Sequence, residues 1–122
     1  MKNIILTANG TQKADLVLKN ASIVNVFTES IEVGDVAITD GKIVGIGRYE
    51  GKIEKDMTGR FVCPGFIDGH IHLESSMVTP SEFARAVIAH GTTAVITDPH
   101  EIANVAGCDG ITYMMQATKD LP

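Results

Sequence analysis

Residues 64–72 read PGFIDGHIH and mark the point where the pattern of the chain changes. Pro64-Gly65 interrupts the preceding structure, and the segment from Phe66 to His72 is predicted to be extended. Residues i and i+2 of a strand face the same side, so His70 and His72 should project together. Two imidazoles on one rigid strand make a good half-site for a divalent transition metal. We therefore predict that His70 and His72 are metal ligands.

Two acidic residues flank this pair at the same spacing. Asp68 precedes His70 by two residues and Glu74 follows His72 by two, so both are expected on the same side of the strand. A catalytic metal centre usually has three protein ligands and an open position for water, so two histidines alone do not complete one. An isolated His-x-His pair is also compatible with two surface or core histidines. The surrounding sequence is what favours a metal.

A helix is predicted to follow. Thr79 is suited to the N-cap, Pro80 to the first helical position, and Glu82 to closing a capping box. Gly91 should end the helix, and His90 in the last turn suits the helix dipole. The sequence between the histidine pair and this helix is then a loop.

A second strand and a second helix complete the pattern. Residues 92–97 are rich in β-branched side chains with little alternation, which predicts a strand buried on both faces. Residues 108–119 are predicted to be helical, and the apolar face of this helix is formed by Ile111, Met114, Met115 and Thr118. The order strand, loop, helix, strand, loop, helix is the start of a parallel α/β fold.

The first half of the chain is predicted to be a small β module. Thr39-Asp40-Gly41-Lys42 is a hairpin signal, because Asp-Gly supplies the positive φ angles of a type I′ turn. A few short strands need further partners, so other segments should complete this sheet. The predicted strands lie at residues 16–18, 21–27, 33–39 and 42–47, with a further one starting at 61.

Charge is distributed unevenly along the 122 residues. The net charge is −5, and it comes entirely from residues 63–122, which have two basic and seven acidic residues and all four histidines. This favours a bound cation over a nucleic-acid partner, although an acidic solvated surface gives the same pattern. Cys63 and Cys108 are too few for a disulfide framework and are predicted to be buried thiols. With no secretory or membrane-spanning segment recognised, we expect a cytoplasmic protein without a membrane partner.

The segment at 64–72, lying between a β module and a capped helix, resembles the amidohydrolase superfamily. The resemblance implies a distorted (β/α)8 barrel with a metal centre at the C-terminal ends of its strands, where the His-x-His of the first strand binds metal. It also implies a flanking β-sandwich made from both chain termini. The fold class is then α/β, with residues 1–62 a partial β-sandwich domain and residues 63–122 the first two βα units of an incomplete barrel.

Within this superfamily, HIHLESSM at 70–77, HGTT at 90–93 and TDPHEIANV at 97–105 resemble the adenine deaminases of bacteria and archaea. The resemblance implies deamination of adenine to hypoxanthine and ammonia by metal-activated hydroxide, at a binuclear manganese or iron centre. It implies a small-molecule substrate and a homo-oligomeric full-length protein. The main acid and base are expected beyond Pro122, so residues 1–122 alone are expected to be inactive.

Several polar residues are candidates for the mouth of the barrel, meaning the end at which its strands finish, or for supporting the metal ligands. These candidates are Asp68, Glu74, Ser75, Asp98, His100 and Glu101. Ordinary loop hydrogen bonding is the alternative for the last five. Two other functions remain open: another cyclic amidohydrolase, of the dihydroorotase, hydantoinase or N-acetylglucosamine-6-phosphate deacetylase type, or a truncated metal-binding product without catalysis.

Overall fold

The structure, a computed structural model, describes residues 1–121 in two compact units, Met1–Pro64 and a second that begins at Gly65. Each unit contains one β-sheet. The elements in chain order are α1 (Lys2–Ala8), β1 (Ala14–Asn25), β2 (Ser30–Thr39), β3 (Lys42–Gly47), β4 (Gly51–Asp56), β5 (Phe61–Val62), β6 (Phe66–Ile71), a 3-10 turn (Leu73–Ser76), α2 (Pro80–Ile88), β7 (Thr92–Thr97) and α3 (His100–Ala117).

The first unit is built around β1. This long strand pairs antiparallel with β2, and β2 pairs antiparallel with β3. On its other edge β1 pairs in parallel with two strands in succession, β4 along its first half and β5 along its second. Its core consists of small and β-branched side chains, namely Ala14, Val17, Ala21, Ile23, Val36 and Ala37.

The β1–β2–β3 meander confirms the hairpin prediction and merges two predicted strands. Asp40 and Gly41 have φ angles of +51° and +69°, as a type I′ turn requires. The runs predicted at 16–18 and 21–27 fall on the single strand β1, except that β1 ends at Asn25 and residues 26 and 27 lie in the turn that follows. The register with β2 shifts between Leu18 and Ala21, where Asn20 has a φ of +58°. This irregularity interrupts the alternation of apolar residues and made one strand look like two.

The sequence did not indicate α1 or β4. α1 is only seven residues long, and it is held by tertiary contact: the buried Thr7 accepts a hydrogen bond from the Thr39 hydroxyl at 3.1 Å. β4 is mostly exposed and carries alternating charges, so it has little apolar signal. Exposed charged residues are usual on an edge strand. Both elements exist because β1, β2 and β3 offer them a partner.

In the second unit β6 and β7 pair in parallel, and α2 connects them. Thr79 is the N-cap residue and Pro80 the first residue of α2, as predicted. The predicted capping box is wrong. The Thr79 hydroxyl lies 3.1 Å from the Ser81 hydroxyl, and the Glu82 carboxylate accepts from Arg85 instead. Local polar partners thus compete successfully with the backbone N–H groups.

The second helix begins earlier than predicted, at His100 rather than residue 108. Gly107, with φ +57° and ψ −143°, interrupts α3 and separates an N-terminal part from the predicted one. On the later part Met114 is buried, whereas Met115 is 71% exposed, so the prediction that both face the core is wrong for Met115.

Three expectations of burial are also wrong. Cys63 and Cys108 are exposed, and β7 has exposed residues on both of its faces. Within residues 1–121 the sheet of β6 and β7 has no third strand. A parallel sheet this small cannot bury its own strands on both faces.

Candidate metal centre

The candidate metal centre lies where β6 and β7 end. Because the strands are parallel, their C-terminal ends are adjacent, and the Asp98 N–H donates to the Ile71 carbonyl at 3.0 Å. β6 supplies His70, and His72 follows directly after it. Asp98 follows β7 in the same way. Parallel pairing therefore brings together side chains that are 26 to 28 residues apart in sequence.

His70 and His72 project to one side, as the strand period predicts. Their Nε2 atoms lie 3.3 Å apart. Two ligand nitrogens held about 2.0–2.1 Å from one tetrahedral metal are separated by about 3.3 Å. The Asp98 carboxylate joins them, since the ligand atoms of His70, His72 and Asp98 all lie within 4.8 Å of one another. This donor set, two imidazoles and a carboxylate, fits a divalent metal such as zinc, manganese or iron.

The protonation of His72 is determined by its surroundings. Nδ1 of His72 lies 2.9 Å from the Asp98 carbonyl oxygen. A carbonyl can only accept, so Nδ1 carries the proton and donates. In the neutral ring Nε2 then keeps its lone pair toward His70. This arrangement, with one ring nitrogen fixed by a backbone carbonyl and the other free to coordinate, is usual for metal-binding histidines.

His100 extends the cluster. It is the first residue of α3, and its Nδ1 lies 3.2 Å from Oδ2 of Asp98. Its ring meets that of His72 edge to face, with centroids 4.6 Å apart. The sequence did not distinguish Asp98 and His100 from ordinary loop residues. The structure brings both of them next to the histidine pair.

Asp68 contacts the backbone of the strand that carries His70. Its Oδ1 accepts a hydrogen bond from the backbone N–H of His70 at 3.1 Å. Among the described residues, the carboxylate that converges with His70 and His72 is that of Asp98, not that of Asp68. The observed contact of Asp68 is with the strand backbone, two residues along.

Glu74 and Ser75 reach the start of α3. Oε1 of Glu74 accepts the Ile102 N–H at 3.1 Å, and the Ser75 hydroxyl donates to the Glu101 carboxylate at 2.8 Å. Burial raises the pKa of Glu74. Hydrogen bonds from backbone N–H groups, together with the electrostatic effect of the nearby His72, lower it by more, so the pKa of Glu74 lies below its usual value. Glu74 is therefore a carboxylate at neutral pH.

His90 lies outside the cluster of His70, His72 and Asp98. His90 is exposed at the end of α2, and its backbone N–H bonds to the Val87 carbonyl.

No helix within the described part of the chain is long and apolar enough to cross a membrane.

Comparison with known proteins identifies the family of this chain. Residues 61–122 match the model of the amidohydrolase family, which is half of the chain and includes every residue of the candidate centre. The chain belongs to the amidohydrolase family.

Its curated relatives are more specific. The chain is 61% identical over 115 residues to an adenine deaminase of Clostridium acetobutylicum, a match covering 94% of this chain and 20% of that protein. It is 60% identical over all 122 residues to an adenine deaminase of Geobacillus kaustophilus, covering 21% of it. An adenine deaminase of Bacillus subtilis is 56% identical over 111 residues. The chain thus spans about a fifth of the length of these relatives.

A solved structure resembles the fold. An N-acyl-D-glutamate deacylase from Bordetella bronchiseptica, complexed with zinc and a phosphonate inhibitor, superposes with a TM-score of 0.58 at 27% identity. The match covers 70% of this chain and 19% of that one. The fold class predicted from the sequence is confirmed: the chain is the α/β start of an amidohydrolase-type barrel preceded by a β-rich region.

Proposed function

We propose that this chain is the N-terminal part of an adenine deaminase, which hydrolyses adenine to hypoxanthine and ammonia. The observation that supports this most is the 54–61% identity to enzymes of that name over 91–100% of the chain. On this proposal residues 1–62 belong to a β-sandwich domain and residues 63–122 form the first two βα units of the barrel. The remaining strands would come from further chain, as the length of the relatives indicates.

His70 and His72 would hold the metal, with Asp98 close enough to contribute a carboxylate oxygen. We propose manganese or iron, in a binuclear centre that later strands would complete. When bound, such a metal lowers the pKa of water enough to make hydroxide available near neutral pH. The Asp98 carbonyl keeps His72 in the tautomer whose Nε2 can coordinate.

We assign the mouth of the site to the residues that surround this pair. Nδ1 of His100 lies within hydrogen-bond distance of the Asp98 carboxylate. An imidazole in this position can hold or release a proton at Nδ1. The exposed ring of His100 and the exposed Asp98 would face the purine. Asp68, Glu74, Ser75 and Glu101 would keep the two strand ends and the helix start in position through the hydrogen bonds described above.

The test is deamination of adenine by the full-length gene product, measured as ammonia and hypoxanthine released after loading with manganese, iron or zinc. We expect turnover of adenine with manganese or iron, and none from residues 1–122 alone. The DNA downstream of the Pro122 codon should be sequenced first, to define that product. Inert adenine together with turnover of a cyclic amide would overturn the assignment in favour of another amidohydrolase. A stop codon at that point would leave a metal-binding product without catalysis.

The cellular setting belongs to the same proposal. We propose a cytoplasmic enzyme that acts on a free purine, without a nucleic-acid or membrane partner, and that forms homo-oligomers as a full-length protein. Sedimentation of the full-length product tests the oligomeric state, and fractionation of cells tests its location.

A further inference from the structure

We infer that Glu74 and Ser75 are positioning residues for the metal-facing nitrogen of His72, acting through the start of α3. This rests on the proposed metal centre and extends it to residues that do not touch the metal. The inference depends on three links: His72 to Asp98, Asp98 to the first turn of α3, and that turn to the 3-10 turn after β6.

The first link is the hydrogen bond from His72 Nδ1 to the Asp98 carbonyl. This bond selects the tautomer and sets the plane of the ring. The position of the Asp98 carbonyl therefore determines where His72 Nε2 points. Outer partners of metal-binding histidines commonly change metal affinity about 10- to 100-fold when removed.

The second link is short. Asp98 is separated from α3 by Pro99 alone, and the Ala103 N–H already bonds to the Pro99 carbonyl. A shift of the first turn of α3 would therefore move the Asp98 carbonyl. The N–H of Asp98 donates a hydrogen bond to the Ile71 carbonyl, which fixes that side of the residue. The Asp98 carbonyl lies on the other side, toward α3, so a shift of the helix start would tilt this carbonyl.

The third link replaces a conventional N-cap. Pro99 at the N-cap position makes no side-chain hydrogen bond to the helix. Glu74 instead provides the acceptor from a different element, bonding the Ile102 N–H, while Ser75 bonds Glu101 in the same turn. A carboxylate at a helix N-terminus is favourable for the helix dipole. These two residues therefore fasten α3 to the turn that immediately follows His72.

Glu74 acts on α3 as a hydrogen-bond acceptor, and this link does not depend on its charge. Its Oε2 is buried and has no hydrogen-bond partner within residues 1–121. An unpaired buried oxygen is uncommon and costly, and a neutral amide would supply the same acceptor to Ile102. Glutamine at position 74 would keep that contact, so the variant that tests the link to α3 must remove the acceptor.

The test uses Ser75→Ala and Glu74→Ala, each of which removes one of the two contacts with the start of α3, in the full-length gene product, with Co²⁺ and Mn²⁺ as the probes. We expect each variant to bind Mn²⁺ about 10-fold more weakly and to change the visible absorption of the Co²⁺ form, which reports ligand geometry. Ser75→Thr, which keeps the hydroxyl, should have the Mn²⁺ affinity and the Co²⁺ absorption of the parent. Thermal unfolding is measured in parallel.

Two matched controls separate positioning from general effects. Ser76→Ala removes the neighbouring hydroxyl, which bonds to the Leu73 carbonyl in its own turn. Glu82→Ala removes a carboxylate on the exposed part of α2. Neither should alter the affinity or the spectrum.

The inference is overturned if Ser75→Ala and Glu74→Ala bind both metals like the parent, whether or not their unfolding temperature falls. It is also overturned if Ser76→Ala has the same effect as Ser75→Ala. Failure of the proposed function looks different. A parent protein that binds metal but leaves adenine unchanged refutes the deaminase and still tests the positioning.

Discussion

At the scale of single residues, the pair of histidines is the part of the site that the sequence predicts most directly. The two-residue period of a strand brought His70 and His72 to the same side without any tertiary information. The carbonyl that orients His72 belongs to Asp98, 26 residues away, and could not be deduced from spacing.

Loss of the histidine pair should abolish metal uptake. We expect residues 1–122 to bind Mn²⁺ or Zn²⁺ weakly in equilibrium dialysis, because two histidines and one carboxylate make an incomplete centre, and His70→Ala/His72→Ala to bind none. His90→Ala serves as the control, since His90 is exposed at the end of α2 and outside the cluster. Undiminished uptake by the double variant would show that the metal binds elsewhere.

The ion pair of Asp35 and Lys19 should make the first unit sensitive to pH. Burial raises the pKa of Asp35, but hydrogen bonds from Lys19, Asn20 and Tyr49 outweigh it and leave the pKa lowered. The hydrogen bond to Asp35 raises the pKa of Lys19. The stabilisation from Asp35 is therefore complete above its unfolded pKa of about 4 and is lost as the pH falls further. That from Lys19 is complete below about pH 10.4 and is lost as the pH rises through its raised pKa.

Asp35→Asn should remove the part of the acid dependence that comes from Asp35 and lower the free energy of unfolding by about 3 kcal/mol, because it leaves Lys19 without its charged partner. Urea unfolding of the purified protein at several pH values measures both effects. Asp40→Asn is the matched control, since Asp40 is exposed in a turn that Asn tolerates equally well. The same acid dependence in Asp35→Asn and the parent would contradict this assignment.

At the scale of elements, local signals predicted where strands and helices lie better than where they begin. Pro80 located the start of α2, and β-branched residues located β7. The start of α3 was missed because Pro99 and His100 give no local capping signal. The acceptor comes from Glu74 on another element.

Gly107 should be required for the shape of α3. Its φ of +57° and ψ of −143° are open to glycine and strained for other residues. An added Cβ would meet no atom within 4 Å, so the cost of Gly107→Ala is that of the backbone alone, about 1–3 kcal/mol. Urea unfolding checks this against Gly69→Ala, where the site is equally open and φ is not positive. Equal stability of the two variants would mean that α3 tolerates a straight path.

At the scale of the whole molecule, both units expose apolar surface that an isolated domain would bury. Phe27 is 96% exposed and Val33 80% in the first unit, and Val105 is 84% exposed in the second. The strands at the edges of each sheet also present unpaired backbone groups. This agrees with a chain that spans about a fifth of the relatives it matches.

Residues 1–122 should therefore self-associate when isolated. Sedimentation at increasing concentration is expected to show growing mass, and thermal unfolding to be broad, because exposed edges and apolar faces pair between copies. A monomer with a sharp unfolding transition that does not depend on concentration would contradict this. The full-length gene product is the comparison, and it should lose the concentration dependence of unfolding.

The sequence by itself determined the features that depend on near neighbours. These are the shared side of His70 and His72, the type I′ turn at Asp40-Gly41, the extended β7 and the proline at the start of α2. Strand period, glycine conformation and proline geometry act over two to four residues. Tertiary structure alone decided the contact of His72 with Asp98, the capping of α3 by Glu74, the existence of α1 and the exposure of both cysteines. Each of these depends on which segments the parallel and antiparallel pairings bring together, and pairing partners far apart in sequence leave no local periodic signal.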